Sequence, residues 1–360
     1  MKLSKSMVLL SFLAIVLTGC NGGGKKGGGG NKTTSKGDET VLPELELTDE
    51  QRQIYEQHYT NKTDCFGNDV EKYNILTLGG YSLIKEIHKY LIDQHTTYVK
   101  YNDINGGIYK NIDKAAGQDG KIELFYTGKL VTSYSSGSTA GKQNREHVWP
   151  CERSNLWYRK SDYWEYQIDT NGRYWGAGSD LYHVRPADAV VNTVRSNSRF
   201  YEFVDGDNLD RYTQGESGGL YDITVDDLSA TKRVEVADAF KGDVARLLMY
   251  LYVHYTKTGY DVYYSNNPTN PSPVYNKDEA IPMGTGSDGK VHNSDVCGQL
   301  PLTDIIYYKD ESKCIELIKR WNAVDAPSDT EKLRCDTIQS QYQGNRNPFV
   351  DFPQLIDRCF

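Results

Sequence analysis

The chain carries two stretches that decide how its chemistry is assembled: Asn144-Arg-Glu-His-Val-Trp-Pro150 and Asp180-Leu-Tyr-His-Val-Arg-Pro-Ala-Asp-Ala-Val-Val-Asn-Thr-Val-Arg-Ser-Asn197. We expect the first to end a strand. The second changes from a strand-like Leu-Tyr to a helix over residues 188–199, because Asp188 follows Pro186-Ala187 and is a favourable N-cap. The rest of the chain is expected to scaffold these two stretches or to deliver them.

The pair Glu146 and His147 supplies the first candidate site residues. A neutral imidazole can take a proton from water near pH 7, and a carboxylate is a hard ligand suited to Mg²⁺ or Mn²⁺. Adjacent strand residues point to opposite sides, and in-line attack at phosphorus places its nucleophile and leaving group on opposite sides too. The pair could therefore flank one phosphate. The alternative is a strand end with a surface carboxylate and a packed histidine.

The helix predicted over residues 188–199 adds an amide and two guanidinium groups. At about 100° per residue its valines form one apolar face, and Asn192, Arg195 and Arg199 gather on the opposite side. An amide oxygen can ligate a hard divalent ion, and arginines can hold backbone phosphates. The alternative is a solvated helix face with two routine arginines.

These residues, in this order, resemble the bacterial endonuclease I family of His-Me finger (ββα-metal) nucleases. Two further blocks extend the resemblance: Phe240-Lys-Gly-Asp-Val-Ala-Arg246 and Gln343-Gly-Asn-Arg-Asn-Pro-Phe349. The resemblance covers about residues 80–255 and 335–353. It implies an α+β fold, in which a His-Me finger core is embedded in a mixed helical and sheet scaffold.

The resemblance also implies a reaction and a set of roles. It implies a Mg²⁺-dependent endonuclease of little sequence specificity that leaves a 5′-phosphate on DNA, with RNA as a second substrate and Mn²⁺ or Ca²⁺ as alternative ions. By position, His147 is the general base, and Glu146 and Asn192 are the metal ligands. Arg173 matches the arginine beside the scissile phosphate. Substrate contacts are assigned to Arg145, Arg195, Arg199 and Arg346, and we expect a monomer.

The charge of the chain is acidic overall and basic around the two stretches. The net charge is −8, which argues mildly against a nucleic-acid binder, because such proteins more often carry a basic footprint. Residues 141–200 nevertheless hold nine Lys/Arg against seven Asp/Glu. The local balance therefore permits contact with phosphates.

The N-terminal residues indicate export. Lys2 and Lys5 precede an apolar run over residues 7–17, which is too short to span a membrane as a stable helix. The run ends in Leu17-Thr-Gly-Cys20, which resembles a bacterial lipoprotein signal, so residues 1–19 would be removed and Cys20 would carry lipid. An ordinary secretory signal is the alternative. We expect a protein anchored to the cell membrane, on its extracellular or periplasmic face.

The remaining sequence divides into a tether and one domain. Residues 20–44 are rich in Gly, Lys, Ser and Thr and are expected to be a flexible linker. The nuclease-like domain covers residues 45–360, with insertions at about 154–178 and 256–300. The aromatic residues of the first insertion would stack on bases or pack the loop onto the body. With Cys20 lipidated, six cysteines remain, which permits up to three disulfides or free thiols.

Periodicity and turn residues predict the other elements. They are a helix over residues 81–94 capped by Ser82, a strand over 122–127, a loop over 133–141, a long helix over 234–255 and a short helix over 315–321. His183 and His254 are interpreted as structural. The sequence contains no Walker-type phosphate loop and no His-Glu-x-x-His zinc motif.

A second class of function fits the same sequence. A surface lipoprotein could bind nucleic acid or host material without cutting it, with the nuclease core as a scaffold. The net charge and the aromatic insertion favour this alternative. The combination of Glu146, His147 and Asn192 argues against it, because a binding protein needs no base beside a metal ligand.

Overall fold

The computed structural model describes residues 40–64, 67–97, 99, 101–104, 106–115, 117–133, 135–139, 141–150, 177–204, 233–255 and 300–360, and the backbone of short strands between residues 210 and 282. Several features predicted from the sequence lie outside these residues. They are the signal segment, Cys20, Cys65, Cys151, Cys297, Arg173, and most of the tether and of both insertions.

The described chain alternates helices with short strands. The helices are α1 (Asp49–His58), α2 (Gly80–Gln94), α3 (Gly106–Ile112), α4 (Ala189–Arg195), α5 (Asp238–His254), α6 (Leu302–Ile305), α7 (Glu311–Val324), α8 (Asp329–Ile338), α9 (Pro348–Asp351) and α10 (Leu355–Cys359). The strands are β1 (Thr60–Thr63), β2 (Asp69–Lys72), β3 (Lys121–Glu123), β4 (Leu130–Thr132), β5 (Gln143–His147), β6 (Val184–Asp188), β7 (Arg199–Phe200), β8 (Asp210–Tyr212), β9 (Ile223–Asp226), β10 (Arg233–Glu235), β11 (Tyr263–Ser265), β12 (Pro273–Val274) and β13 (Ala280–Pro282).

The strands form small, separate sheets. Antiparallel pairs join β1 to β2, β3 to β4, and β5 to β6. Two larger sheets have the orders β7-β10-β9-β8 and β12-β11-β13, and only the β7–β10 pair in them is parallel. Helices and small sheets mixed along one chain confirm the predicted α+β class.

Helix α5 is the centre of the core. Thirteen of its seventeen residues are buried, as expected for a helix that is covered on every side. It packs against α2 and α7, and Gly242 makes the close approach to α7 possible because a Cβ there would lie 1.9 Å from the carbonyl oxygen of Asp325. The helix begins at residue 238 instead of the predicted 234, because Val234 pairs with Phe200 and Val225 in the sheet.

Other predicted elements are confirmed with shifted ends. The helix predicted over 81–94 is α2, and its buried face is the predicted one, although Gly79 and not Ser82 is the N-cap. The strand predicted over 122–127 ends at Glu123, since Tyr126 has φ 72° and takes part in the turn toward β4. The helix predicted over 188–199 ends at Arg195, because Ser196 adopts φ 50°.

The N-terminal edge of the domain lies earlier than the sequence indicated. Val41 forms an antiparallel bridge with Leu78, and the amide of Leu42 donates to the carbonyl of Thr77. Residues 40–44, predicted to belong to the linker, are therefore attached to the domain. None of the described helices is both long and apolar enough to cross a membrane. Cys314, Cys335 and Cys359 are buried free thiols.

Candidate active site

The two stretches that opened the sequence analysis fold into strand, strand and helix. Strands β5 and β6 pair antiparallel, with His147 opposite Val184 and Gln143 opposite Asp188. Helix α4 follows β6 directly and is capped as predicted, because the side chain of Asp188 accepts hydrogen bonds from the amides of Val190 and Val191. This order of elements is compatible with a His-Me finger core.

Glu146 is a buried carboxylate with two partners on one oxygen. Its exposed fraction is 2%. Tyr126 donates a 2.7 Å hydrogen bond to Oε1, and Nη1 of Arg195 lies 3.4 Å from the same atom. Burial raises the pKa of Glu146, while Arg195 and the Tyr126 hydroxyl act in the opposite direction. Both contacts fall on Oε1, so Oε2 is the oxygen that remains for a cation.

His147 is held in one tautomer by the backbone. Its Nε2 lies 2.8 Å from the carbonyl oxygen of Gly178, and a carbonyl can only accept, so Nε2 carries the proton and Nδ1 the lone pair. The ring stacks on Tyr101 with centroids 5.1 Å apart and an interplanar angle of 21°. Burial, followed by His183, lowers the pKa of His147 to about 3. The imidazole is therefore neutral at pH 7, as a general base must be before reaction.

Asn192 is placed against β5 by helix α4. It is half-buried, and its Nδ2 donates a 3.0 Å hydrogen bond to the carbonyl oxygen of Arg145. This contact turns the amide nitrogen toward the strand, so the side-chain oxygen is the atom of Asn192 that could ligate a cation. Glu146 and Asn192 thus both present oxygen atoms, which is the chemistry that Mg²⁺, Mn²⁺ or Ca²⁺ requires.

Arg195 does not lie on a solvated helix face, which is the alternative interpretation of α4. The side chain is completely buried. Its guanidinium donates to the carbonyls of His147, Val148 and Ser196 and pairs with Glu146. Because α4 ends at this residue, the side chain turns under β5 and not toward solvent. Arg195 therefore positions strand β5, and its substrate contact stays a prediction that its burial disfavours.

The other arginines assigned to substrate divide into two groups. Arg346 has an exposed fraction of 2% and is paired with Asp351 at 2.7 Å and with Asp336 at 2.6 Å, so its burial likewise disfavours the predicted substrate contact. Arg199 is half-buried, and Nη1 donates to the carbonyl of Thr303. Arg145 is half-buried over the Tyr101 ring, 4.0 Å from its centroid, so it lies beside the residue that stacks on His147.

Histidine 183 and the C-terminal block fix the segment that leads into β6. His183 is fully buried and bonds to the backbone of Ala177 and Trp149, as expected for a structural residue. Gln343 accepts from the amide of Leu181, and Asn345 accepts at its carbonyl from the hydroxyl of Tyr182. The block that resembles the family's C-terminal signature thus supports the segment before β6.

Sequence reasoning missed Tyr101, Tyr126 and Gly178. All three are 20 or more positions away from Glu146 and His147 in the sequence, and only the folded chain brings them into contact with these two residues. It also missed that His95 and His254 approach Asp180 closely enough to form a second group of potential metal ligands. Only the number of buried-looking histidines on α2 and α5 could have suggested this group.

The chain belongs to the endonuclease I family, whose model matches residues 80–281. This finding confirms the resemblance drawn from the sequence blocks. Two relatives carry the name extracellular ribonuclease. The protein of Bacillus subtilis (strain 168) is 28% identical over 281 residues, which cover 78% of this chain and 75% of the relative. The protein of Bacillus amyloliquefaciens is 28% identical over 282 residues, which cover 78% and 74%.

Proposed function

We propose that this member of the endonuclease I family is a metal-dependent extracellular nuclease that hydrolyses phosphodiester bonds. One observation carries the proposal: a single strand, β5, presents a neutral histidine of defined tautomer beside a buried carboxylate, and the next helix sets an amide oxygen against that strand. A protein that only binds nucleic acid has no use for this combination.

His147 acts as the general base in this proposal. Its Nδ1 takes a proton from the attacking water, while the carbonyl of Gly178 keeps the proton on Nε2 and holds the ring. Tyr101 stacks on the imidazole and limits its rotation. The positive charge that develops on the ring must be stabilised by the phosphate, because burial opposes the imidazolium.

Glu146 and Asn192 would hold the divalent cation. They fit it, since the two residues offer oxygen atoms and both are oriented through their other polar atoms. When bound, the ion neutralises charge on the phosphate and on the leaving oxygen. Tyr126 and Arg195 keep the buried Glu146 able to ionise, so they act on the reaction through the carboxylate.

Substrate contacts are expected to be to phosphate and not to base edges. Arg145 is the candidate among the described residues, because it lies half-buried beside Tyr101, and Arg173 is a second candidate from outside them. Contacts of this kind carry little sequence information. The names of the two Bacillus relatives favour RNA. We propose cleavage of both DNA and RNA, with 5′-phosphate ends.

The proposed location is the outer side of the cell membrane. Both relatives are named extracellular, which supports export. The Leu-Thr-Gly-Cys20 sequence supports lipid attachment, and the Gly-rich residues that follow it would let the domain reach away from the membrane.

The test is cleavage of supercoiled plasmid and of a structured RNA by the purified chain. Lanes contain Mg²⁺, EDTA, or Mg²⁺ with the His147→Ala variant. Cleavage only by the wild-type protein with Mg²⁺ supports the proposal. Binding that persists in EDTA, without cleavage under any divalent ion by a folded sample, would instead identify a non-catalytic nucleic-acid-binding lipoprotein.

A further inference from the structure

Three potential metal ligands meet inside the domain, away from Glu146 and Asn192. They are His95, Asp180 and His254, and one ligand atom of each lies within 4.8 Å of the others. His95 follows the last turn of α2, His254 ends α5, and Asp180 precedes the turn into β6. All three side chains are buried, His254 completely. The group therefore joins three distant parts of the chain at one interior point.

The two imidazoles already have the separation of two ligands on one ion. Nδ1 of His95 lies 3.3 Å from Nε2 of His254. With Zn–N bonds of about 2.0–2.1 Å, two ligands at adjacent corners of a tetrahedron are about 3.3–3.4 Å apart. The rings are tilted by 48° and are not stacked face to face. Burial lowers the pKa of His95 to about 4 and that of His254 well below its ordinary value, so both rings are neutral and can offer a lone pair.

Asp180 contributes a buried carboxylate to this group of ligands. Every hydrogen-bond donor to its side chain among the described residues is an uncharged group. Its carboxylate accepts from the hydroxyls of Tyr250 (2.7 Å) and Tyr255 (2.9 Å), from the amide of Tyr182 and from Nε2 of Gln343. Within the described residues, no lysine or arginine forms an ion pair with it; nearby arginines pair with Asp113, Asp351 and Glu331 instead. Buried charges in proteins are normally paired or bound to a metal.

The 3.3 Å contact between Nδ1 of His95 and Nε2 of His254 is a hydrogen bond, so a metal ion bound by these two nitrogens would take the place of the proton between them. The two tyrosine hydroxyls both donate to Oδ2 of Asp180, so one of them can rotate away and expose a lone pair while the other keeps its bond.

We propose that His95, Asp180 and His254 supply three of the four ligands of a buried Zn²⁺ site, with the fourth tetrahedral position left to a water oxygen. Two imidazoles and one carboxylate are ligands that zinc accepts, whereas Mg²⁺ prefers oxygen atoms alone. Binding needs the carboxylate to approach the two nitrogens, because the present separation of up to 4.8 Å exceeds a tetrahedral edge. The ion would supply the positive charge that Asp180 lacks. It would also tie the ends of α2 and α5 to the segment that leads into β6.

The experiment uses the full-length chain in detergent, stripped with a chelator and then reloaded. Zinc per chain is measured by mass spectrometry after gel filtration, and affinity by competition with a chromogenic zinc chelator. The Glu146→Ala background removes a ligand of the proposed catalytic site, so neither zinc bound there nor a failure of the nuclease proposal can affect the result. His254→Gln and His95→Gln are the test variants, and His58→Gln, on α1, is the matched control.

We expect one zinc per chain in the Glu146→Ala protein and in its His58→Gln derivative. We expect the loss of that zinc in His254→Gln and in His95→Gln, together with the loss of the rise in melting temperature that zinc produces. If the variants fail to fold, Co²⁺ reports on the unsubstituted site through the intense visible absorption of a tetrahedral ion. Zinc loading that persists in both variants would overturn the proposal. So would a folded protein that binds no zinc.

Discussion

At the scale of single residues, Glu146 and its two contacts, Tyr126 and Arg195, show what a buried carboxylate needs if it is to bind a metal, as we propose. A carboxylate removed from water holds its proton more tightly, yet it must lose that proton to bind a cation. Arg195 opposes the effect of burial with its charge, and Tyr126 does so with a hydrogen bond. Both therefore act on metal affinity and not directly on the chemical step.

Replacing Tyr126 by Phe tests this role. A hydrogen bond to a charged group contributes roughly 1.5 kcal/mol, or about a tenfold change in affinity. We expect the Mg²⁺ concentration for half-maximal cleavage to rise about tenfold, with a near-normal rate at saturating Mg²⁺. Tyr109→Phe is the control, since the buried Tyr109 hydroxyl has no hydrogen-bond partner among the described residues. A lower rate at an unchanged Mg²⁺ requirement would contradict the assignment.

Replacing His147 by Ala should separate chemistry from binding. Removing a general base costs about 10²–10⁴-fold in rate, whereas affinity for nucleic acid should change little. Single-turnover cleavage and filter binding measure the two quantities. His58→Ala, a half-buried histidine on α1, should leave both unchanged. Equal losses of cleavage and binding would mean that His147 holds the substrate or the fold.

The dependence of cleavage rate on pH should reflect the lowered pKa of His147. With its pKa at about 3, His147 stays neutral while the pH falls through the range in which an ordinary histidine gains a proton. At saturating Mg²⁺ we therefore expect kcat/KM to change by no more than about twofold between about pH 8 and pH 5. At limiting Mg²⁺ the rate should fall as the pH is lowered, because protons compete with the cation for Glu146, whose pKa burial raises. A loss centred near pH 6.5 at both Mg²⁺ concentrations would contradict this.

For single residues, the sequence predicts the chemical role of a side chain better than it predicts which residues that side chain contacts. Glu146, His147 and Asn192 could be proposed because their types and order match what phosphodiester hydrolysis requires. The burial of Arg195 and Arg346 could not be predicted, because no sequence pattern shows that Arg195 turns under β5 or that Asp336 and Asp351 surround Arg346. Tyr126 could not be predicted, since its contact depends on the turn that brings it to Glu146.

At the scale of elements, Asp188 sets both the start and the placement of α4. One carboxylate oxygen caps the helix, and the other accepts a 2.7 Å hydrogen bond from the amide of Gly141, just before β5. The residue therefore links the helix that carries Asn192 to the strand that carries Glu146.

Substituting Asp188 by Ala should affect stability and metal affinity together. The lost cap costs about 1–2 kcal/mol in the free energy of unfolding, and the released helix should weaken Mg²⁺ binding. Ser328→Ala is the matched control, because Ser328 caps α8 through the amide of Glu331, on a helix that carries none of the proposed site residues. Thermal unfolding and the Mg²⁺ dependence of cleavage are the measurements. An Asp188 variant that loses stability alone would show that the link to β5 is not needed.

Helices were easier to predict than strands for a physical reason. The face of α2 repeats over fifteen residues, so its periodicity is unambiguous. Strand β3 has only three residues, and the apolar run that continues through Phe125 and Tyr126 belongs to a turn buried against the core. Val234 belongs to a strand and not to α5 because it pairs with distant residues. Tertiary pairing of this kind overrides local preference.

At the scale of the whole molecule, the order of four sequence blocks was enough to predict the α+β class and the family. The contacts by which one block supports another could not be predicted. From the sequence, the Gln343–Phe349 block was assigned a substrate contact through Arg346. In the structure, Gln343 and Asn345 form hydrogen bonds with the segment before β6. Such support depends on contacts between residues more than 150 positions apart, and no local pattern encodes it.

The proposed anchor also belongs to this scale. Replacing Cys20 by Ser should move the protein from the detergent phase to the aqueous phase in a temperature-induced partition. The acyl groups that supply membrane affinity would be lost, and none of the described helices can replace them. Nuclease activity measured in detergent should not change. Continued partition into detergent would mean that another segment anchors the chain.

The dependence of the site strands on the C-terminal block has a consequence for biosynthesis. Translation produces His147 long before Gln343 and Arg334, which bond to Leu181 at the entrance to β6. A nascent chain therefore carries every candidate catalytic residue but not the groups that hold them in register. For the proposed nuclease, this order predicts that competence for cleavage arises only after the last residues have left the ribosome and docked.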